Sequence, residues 1–173
     1  MPAAESNQKE EREMKARYEV AKLAPAGYKG MLEIERYLKT CGIEENILHL
    51  IKLRASQING CAFCLDMHWK DLRALGENER RLYSLDAWRE NEDLYNQRER
   101  AALAWCEALT KITEGHVSDA VYDEMIQVFS EKEIADLTLA VATINSWNRL
   151  AISSRMVPGL YQSAIKPAQT AAD

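Results

Sequence analysis

Glycine and proline are scarce in this chain, with only 7 and 4 among its 173 residues. Both residues interrupt regular structure, so their scarcity argues against a fold built from many short strands and tight turns. Leucine, alanine, glutamate and arginine are abundant instead, and all four are strong helix formers. The composition therefore predicts an all-α fold.

An excess of positive charge and any long apolar run are also missing. The formal net charge is -5, so no basic stripe is available to neutralise nucleic-acid phosphates or anionic lipids. No segment approaches the roughly 20 apolar residues of a membrane helix, and the first residues lack the apolar stretch of a signal peptide. We therefore expect no nucleic-acid partner, no membrane partner and a cytoplasmic location.

Cysteines are few, and only two of the four lie close together in the sequence. These are Cys61 and Cys64, whereas Cys41 and Cys106 stand alone in apolar, helix-like surroundings. This distribution is not the disulfide framework of a secreted protein. In a reducing compartment a CxxC pair indicates a metal or redox site, while isolated buried cysteines usually act as small hydrophobic residues.

The length is that of one domain. We expect a charged, mobile arm over residues 1–17, a helical domain over 18–160 and a tail over 161–173. Apolar periodicity and capping residues predict helices over residues 25–39, 44–57, 61–75, 77–85, 97–113, 118–129 and 130–153. Asn96 with Glu99 and Ser130 with Glu133 have the spacing of capping boxes. A polar loop is expected between residues 85 and 97.

The strongest candidate site is the segment Cys61-Ala62-Phe63-Cys64, with His68 one turn further on. Residues three and four apart share a helix face, so Cys61, Cys64 and His68 can converge. A helix N-terminus and a nearby imidazole both favour a reactive thiolate. An oxidised sulfur can then condense with the other cysteine to a disulfide, which a second dithiol must reduce. This cycle requires no bound cofactor.

Other interpretations of the same residues remain. A CxxC pair can bind zinc, with His68 and His49 completing the ligand set, although structural zinc sites usually use two separated pairs. The cysteines can also simply pack in the core. The helical pattern leaves three positions for His49: the surface, an interface, or the cysteine site. Arg54 falls on an apolar stripe and is predicted to need a buried carboxylate partner.

The stretch LIKLRASQINGCAFCLDMHWKDLRALGENERRLYSLDAWRE, together with RERAALAWCEAL and KEIADLTLAVATINSWNR, resembles the AhpD-like branch of the alkylhydroperoxidase and carboxymuconolactone decarboxylase superfamily. The resemblance spans roughly Tyr18 to Arg155. It implies an all-helical fold that assembles as a homo-oligomer, either a trimer or a hexamer.

The resemblance also implies roles for individual residues. Cys64 would attack the peroxide, Cys61 would resolve the product, and His68 would assist proton transfer. The family has a relay glutamate twelve residues before the first cysteine, and His49 stands at that position here. An imidazole can also pass a proton, so His49 is included as a candidate relay residue.

The function implied is a CxxC-dependent hydroperoxide reductase that cycles between dithiol and disulfide. Its partners would be a hydroperoxide substrate and a dithiol or lipoyl-type reductant or partner redox protein. Two alternatives remain: a non-catalytic oligomer whose Cys/His cluster binds zinc or packs, and a thiol-disulfide exchange protein with little peroxidase activity.

Overall fold

The computed structural model describes residues 15–165. Its regular structure is helical throughout this range and contains no strand, which confirms the predicted fold class. The α-helices are α1 (Val20–Leu23), α2 (Pro25–Leu38), α3 (Glu45–Asn59), α4 (Ala62–Ala74), α5 (Glu79–Tyr83), α6 (Gln97–Thr110), α7 (Asp119–Ile126) and α8 (Glu131–Ser154). No helix in the described range is long and apolar enough to cross a membrane.

Helix α3 lies at the centre of the fold and packs against α4, α6 and α8. Its buried side chains cover more than one face, because Ile47 and Ile51 belong to one core cluster while Leu50 and Leu53 belong to another. Burial of each such side chain contributes roughly 1.5–3 kcal/mol. The central position of α3 holds the turn into α4 in a fixed place.

The helix ends follow the local sequence. Both predicted capping boxes are present: the side chains of Asn96 and Ser130 each accept from a backbone N–H, and Glu99 and Glu133 accept in return. The expected loop between residues 85 and 97 instead contains two 3₁₀-helices, Leu85–Glu90 and Glu92–Leu94. Buried side chains such as Trp88 hold this segment in place, although its composition is mostly polar.

Arg54 has the buried partner that its position predicts. Its Nε donates to Glu107 on α6 over 2.7 Å, and the indole of Trp88 donates to the same carboxylate. Each side chain of the Arg54–Glu107 pair is only 14% exposed. The pair therefore ties α3 to α6.

Segments at both ends of the described range contact the helices. The backbone N–H of Arg17 donates to the carbonyl of Ser154 over 2.7 Å. Gly159 and Tyr161 accept from the amine of Lys70 on α4. Most of the predicted arm, residues 1–14, lies outside the described range. Residues 166–173 of the predicted tail lie outside it as well.

Candidate active site

The two cysteines of the CxxC motif flank the start of α4. Gly60 ends α3 in a left-handed conformation, with φ of 68°, which turns the chain so that Cys61 becomes the N-cap of α4. The Cys61 sulfur accepts from the backbone N–H of Cys64 at 3.4 Å. Both cysteines are only 1% exposed. The fold therefore brings Cys61 and Cys64 together at a helix N-terminus, as predicted from their spacing.

The two sulfurs differ in acidity. The Cys64 thiol donates to the Cys61 sulfur, and this contact, with backbone donors at the helix start, lowers the pKa of Cys61 to about 7. The same contact, together with burial, raises the pKa of Cys64. When the pair ionises near neutral pH, the negative charge therefore lies on Cys61 and the remaining proton on Cys64.

Asn148 on α8 is a site residue that sequence reasoning missed. Its side chain is fully buried, and its hydrogen bonding lowers the pKa of both sulfurs. Its amide is held in place because it donates to Ser56 over 3.0 Å and accepts from Asn59 over 2.8 Å. The sequence feature that could have indicated Asn148 is its polar side chain within the apolar pattern of the last helix.

His68 and His49 form a second group of predicted residues. Their Nδ1 atoms lie 3.4 Å apart, so His49 is turned toward the site rather than toward solvent. His68 is 4% exposed, and its Nε2 has no hydrogen-bond partner within residues 15–165. Burial, reinforced by the charge of Lys52, lowers the pKa of His68 well below 6.5 and also lowers that of His49. Both rings are therefore neutral at pH 7.

Asp71 completes this group, and sequence reasoning missed it too. It lies one turn beyond His68 on α4, and its Oδ2 is 3.7 Å from Nδ1 of His49. Its Oδ1 accepts from the hydroxyls of Tyr161 and Ser163 over 2.8 and 2.7 Å. Ligand atoms of His49, His68 and Asp71 lie within 4.8 Å of one another, so these residues could hold a metal ion.

The two groups border different cavities. Cys61 borders a groove of about 350 Å³ whose other walls include Phe63, Ile152, Arg155 and Met156. The histidines and Asp71 border a cavity of about 490 Å³. In the described part of the chain no hydrogen bond joins His68 to either sulfur, although His68 lies one helical turn from Cys64.

The other residues singled out in the sequence lie away from this site or play packing roles. His116 is exposed. Cys106 is buried, its thiol donates to the carbonyl of Ile51, and burial raises its pKa to about 12. Cys41 is half-buried and donates to the carbonyl of Leu38.

Residues 25–108 match the model of the carboxymuconolactone decarboxylase family. The uncharacterized protein YdfG from Bacillus subtilis (strain 168) is 43% identical over 140 residues, which are 81% of this chain and 95% of YdfG. A solved structure of an Agrobacterium tumefaciens protein of unknown function, provisionally assigned to antioxidant defence as AhpD, is 41% identical with a TM-score of 0.80. It covers 85% of this chain and 100% of its own.

A more distant structure shares the fold alone. It is an uncharacterized peroxidase-related protein from Ralstonia eutropha JMP134 with an alkylhydroperoxidase AhpD core. Its sequence is 19% identical with a TM-score of 0.71, covering 82% of this chain and 75% of its own.

Proposed function

Because the chain belongs to the AhpD-like branch of the carboxymuconolactone decarboxylase family, we propose that it is a hydroperoxide reductase that cycles between a dithiol and a disulfide. The observation that carries the proposal is the buried pair in which Cys64 lowers the pKa of Cys61 to about 7. Near neutral pH a substantial fraction of such pairs carries one thiolate beside a second thiol. These are the two groups that a dithiol peroxidase needs.

The first step is attack on the peroxide by Cys64. Its thiol proton passes transiently to the neutral imidazole of His68, one helical turn away, once the two side chains move into contact, and the resulting thiolate attacks one oxygen of the O–O bond. The bond breaks, the sulfur becomes a sulfenic acid, and the departing alkoxide takes the proton from His68 to leave as an alcohol. His49, in contact with His68, connects the imidazole to the adjoining cavity.

The second step uses the charge already present on Cys61. Its thiolate attacks the sulfur of the Cys64 sulfenic acid, forms the disulfide and displaces hydroxide, which a solvent proton converts to water. The dithiol has lost two electrons and the peroxide has gained them. A low pKa suits Cys61 to this resolving role, because the attacking group is ionised before the sulfenic acid forms.

An external dithiol must then reopen the disulfide by exchange. We propose a lipoyl-type reductant or a partner redox protein, which would reach Cys61 through the groove that it borders. The walls contributed by Phe63, Ile152 and Met156 suit an alkyl chain, and Arg155 supplies a positive charge at the edge. Each turnover then consumes one dithiol and one hydroperoxide.

The test uses matched cysteine-to-serine variants, an organic hydroperoxide and dithiothreitol as reductant. We expect Cys64→Ser to lose peroxide consumption, and Cys61→Ser without reductant to consume about one equivalent and stop with a sulfenic acid on Cys64. Cys41→Ser, the same change outside the site, should behave as wild type. Peroxide loss in Cys64→Ser at the wild-type rate would contradict the proposal, and a sulfenic acid on Cys61 would reverse the roles.

The position of Cys61 at the groove favours a second candidate, thiol-disulfide exchange with a partner protein. Only Cys61 of the pair borders the groove, and it carries the lower pKa, as the entry cysteine of an exchange protein should. Measuring the rates at which the reduced protein is oxidised by hydroperoxide and by a small disulfide separates the candidates. A markedly faster reaction with the disulfide would support exchange.

A further inference from the structure

His49, His68 and Asp71 converge beside a cavity of about 490 Å³ that the cysteines do not border. The two imidazole Nδ1 atoms are 3.4 Å apart, and Nδ1 of His49 is 3.7 Å from Oδ2 of Asp71. One ligand atom from each residue lies within 4.8 Å of the other two. Two nitrogens and one oxygen thus surround a single point.

These separations resemble those between the ligands of a transition metal. Zinc binds histidine nitrogen and carboxylate oxygen at about 2.0–2.2 Å, so tetrahedral ligands lie roughly 3.3–3.6 Å from one another. The observed distances of 3.4 and 3.7 Å are close to that range, and the third separation, within 4.8 Å, reaches it by rotation of the side chains. Residues His68 and Asp71 share helix α4, and His49 comes from α3, so rigid elements supply all three.

The buried imidazole of His68 is poorly satisfied by the protein alone. It is 4% exposed, its Nε2 has no partner in residues 15–165, and its Nδ1 has only the contact with His49. That contact, at 3.4 Å, is longer than the usual 2.7–3.2 Å of a hydrogen bond to N–H. A long contact of this kind satisfies Nδ1 poorly, and a cation bound at Nδ1 would give that nitrogen a full partner.

Supporting residues orient the ligands. The hydroxyls of Tyr161 and Ser163 hold Oδ1 of Asp71, which leaves Oδ2 directed toward His49. Metal sites commonly have such outer partners, which fix the direction of each ligand.

The local charge also suits a divalent cation. Asp71 supplies one negative charge, and the nearby amine of Lys52 is already paired with Glu35 over 2.6 Å. A set of two imidazoles and one carboxylate suits zinc and its neighbours, whereas magnesium and calcium prefer oxygen ligands throughout. Three protein ligands would leave a coordination position open toward the cavity, as in catalytic rather than structural zinc sites.

We propose that His49, His68 and Asp71 form a site for a divalent transition metal of the zinc type, separate from the two cysteines. This site does not rest on the proposed peroxidase activity. A metal on His68 would occupy the imidazole that takes the thiol proton in that cycle. The metal-loaded and the peroxidase-competent forms are therefore mutually exclusive.

The test is titration of the full chain with Co²⁺, followed by competition with Zn²⁺, in a Cys61→Ser/Cys64→Ser background that removes thiolate binding. We expect one equivalent of Co²⁺ per chain, with visible absorption bands and no sulfur-to-cobalt charge-transfer band. Tyr161→Phe should weaken binding by about tenfold, since outer partners contribute about 10- to 100-fold in affinity, and His49→Ala, which removes a ligand itself, should weaken it by at least about 100-fold. His116→Ala, a histidine outside the cluster, should bind as the parent does.

Far-UV circular dichroism checks that each variant is folded, and Asp71→Asn provides a nearly isosteric second ligand change. Binding in the wild type that disappears in the double serine variant would assign the metal to the cysteines and overturn the proposal. The proposal would also be overturned if the double serine variant is folded but binds no stoichiometric Co²⁺. The same holds if neither His49→Ala nor Asp71→Asn changes the affinity for Co²⁺. No peroxide enters this measurement, so its failure would leave the proposed reductase untouched.

Discussion

Cys61 owes its acidity to its neighbours at the start of α4. The largest contribution to its lowered pKa is the hydrogen bond from the Cys64 thiol, which outweighs the opposing effect of burial. Hydrogen bonding to the charged form of an acid favours that form. The ionisation of one cysteine is therefore controlled by the presence of a donor on the other.

This dependence predicts opposite behaviour for two substitutions of Cys64. In wild type, with a pKa of about 7 for Cys61, the thiolate should be about one-tenth formed at pH 6 and about nine-tenths formed at pH 8. Cys64→Ala removes the donor and should move the midpoint upward toward 9. Cys64→Ser keeps a hydroxyl donor and should hold it nearer to 7.

Ultraviolet absorbance of the thiolate, followed from pH 5 to 10 and corrected with Cys61→Ser, measures the midpoint. Cys106 does not interfere, because burial raises its pKa to about 12. Equal midpoints in Cys64→Ala and wild type would show that the Cys64 thiol is not the cause.

The spacing of residues along the sequence was enough to predict part of the site. Cys61, Cys64 and His68 share one short stretch, so helical periodicity was enough to place them on one side of α4. Asp71 lies on the same stretch, but its significance depends on Tyr161, ninety residues further along the chain. Asn148 comes from another helix, and packing between distant segments cannot be read from local periodicity.

The junction of α3 and α4 sets the position of the dithiol. Gly60 has a φ of 68°, in the left-handed region where a Cβ costs roughly 1–2 kcal/mol. Helix periodicity predicted separate helices on the two sides of this junction, over residues 44–57 and 61–75. The 3₁₀-helices from residue 85 to 94 were not predicted, because buried side chains rather than local signals hold them. Elements with strong capping and periodicity were predictable, and segments fixed by tertiary packing were not.

Two glycine-to-alanine changes should therefore have opposite effects on stability. Gly60→Ala should lower the free energy of unfolding by about 1 kcal/mol through backbone strain alone, because no atom lies within 4 Å of the added Cβ. Gly30→Ala, within α2 and equally unobstructed, should raise it by about 0.5–1 kcal/mol. Urea unfolding of both variants and wild type measures the difference. A Gly60→Ala protein as stable as wild type would show that the turn adapts.

The outer face of α8 bears on assembly of the whole molecule. Ala135, Leu139, Ala142 and Ser146 recur at helical spacing and are all exposed, and none of them is charged, although 28% of the chain is charged. Leu139 is 44% exposed. The stripe carries no charge, and three of its four residues are small, so a second helix can approach closely. This face therefore suits contact with another copy of the chain.

We propose, in keeping with the resemblance to AhpD-like proteins, that the chain assembles as a trimer or hexamer through this face. Sedimentation equilibrium should then give three or six times the chain mass of 19.7 kDa. Ala142→Glu places a charge on the stripe and should reduce the mass, since a buried unpaired carboxylate is costly. Ala120→Glu, the same change at an exposed position on α7, should leave it unchanged. A monomeric wild type would exclude assembly, and an Ala142→Glu variant of wild-type mass would place the interface on another face.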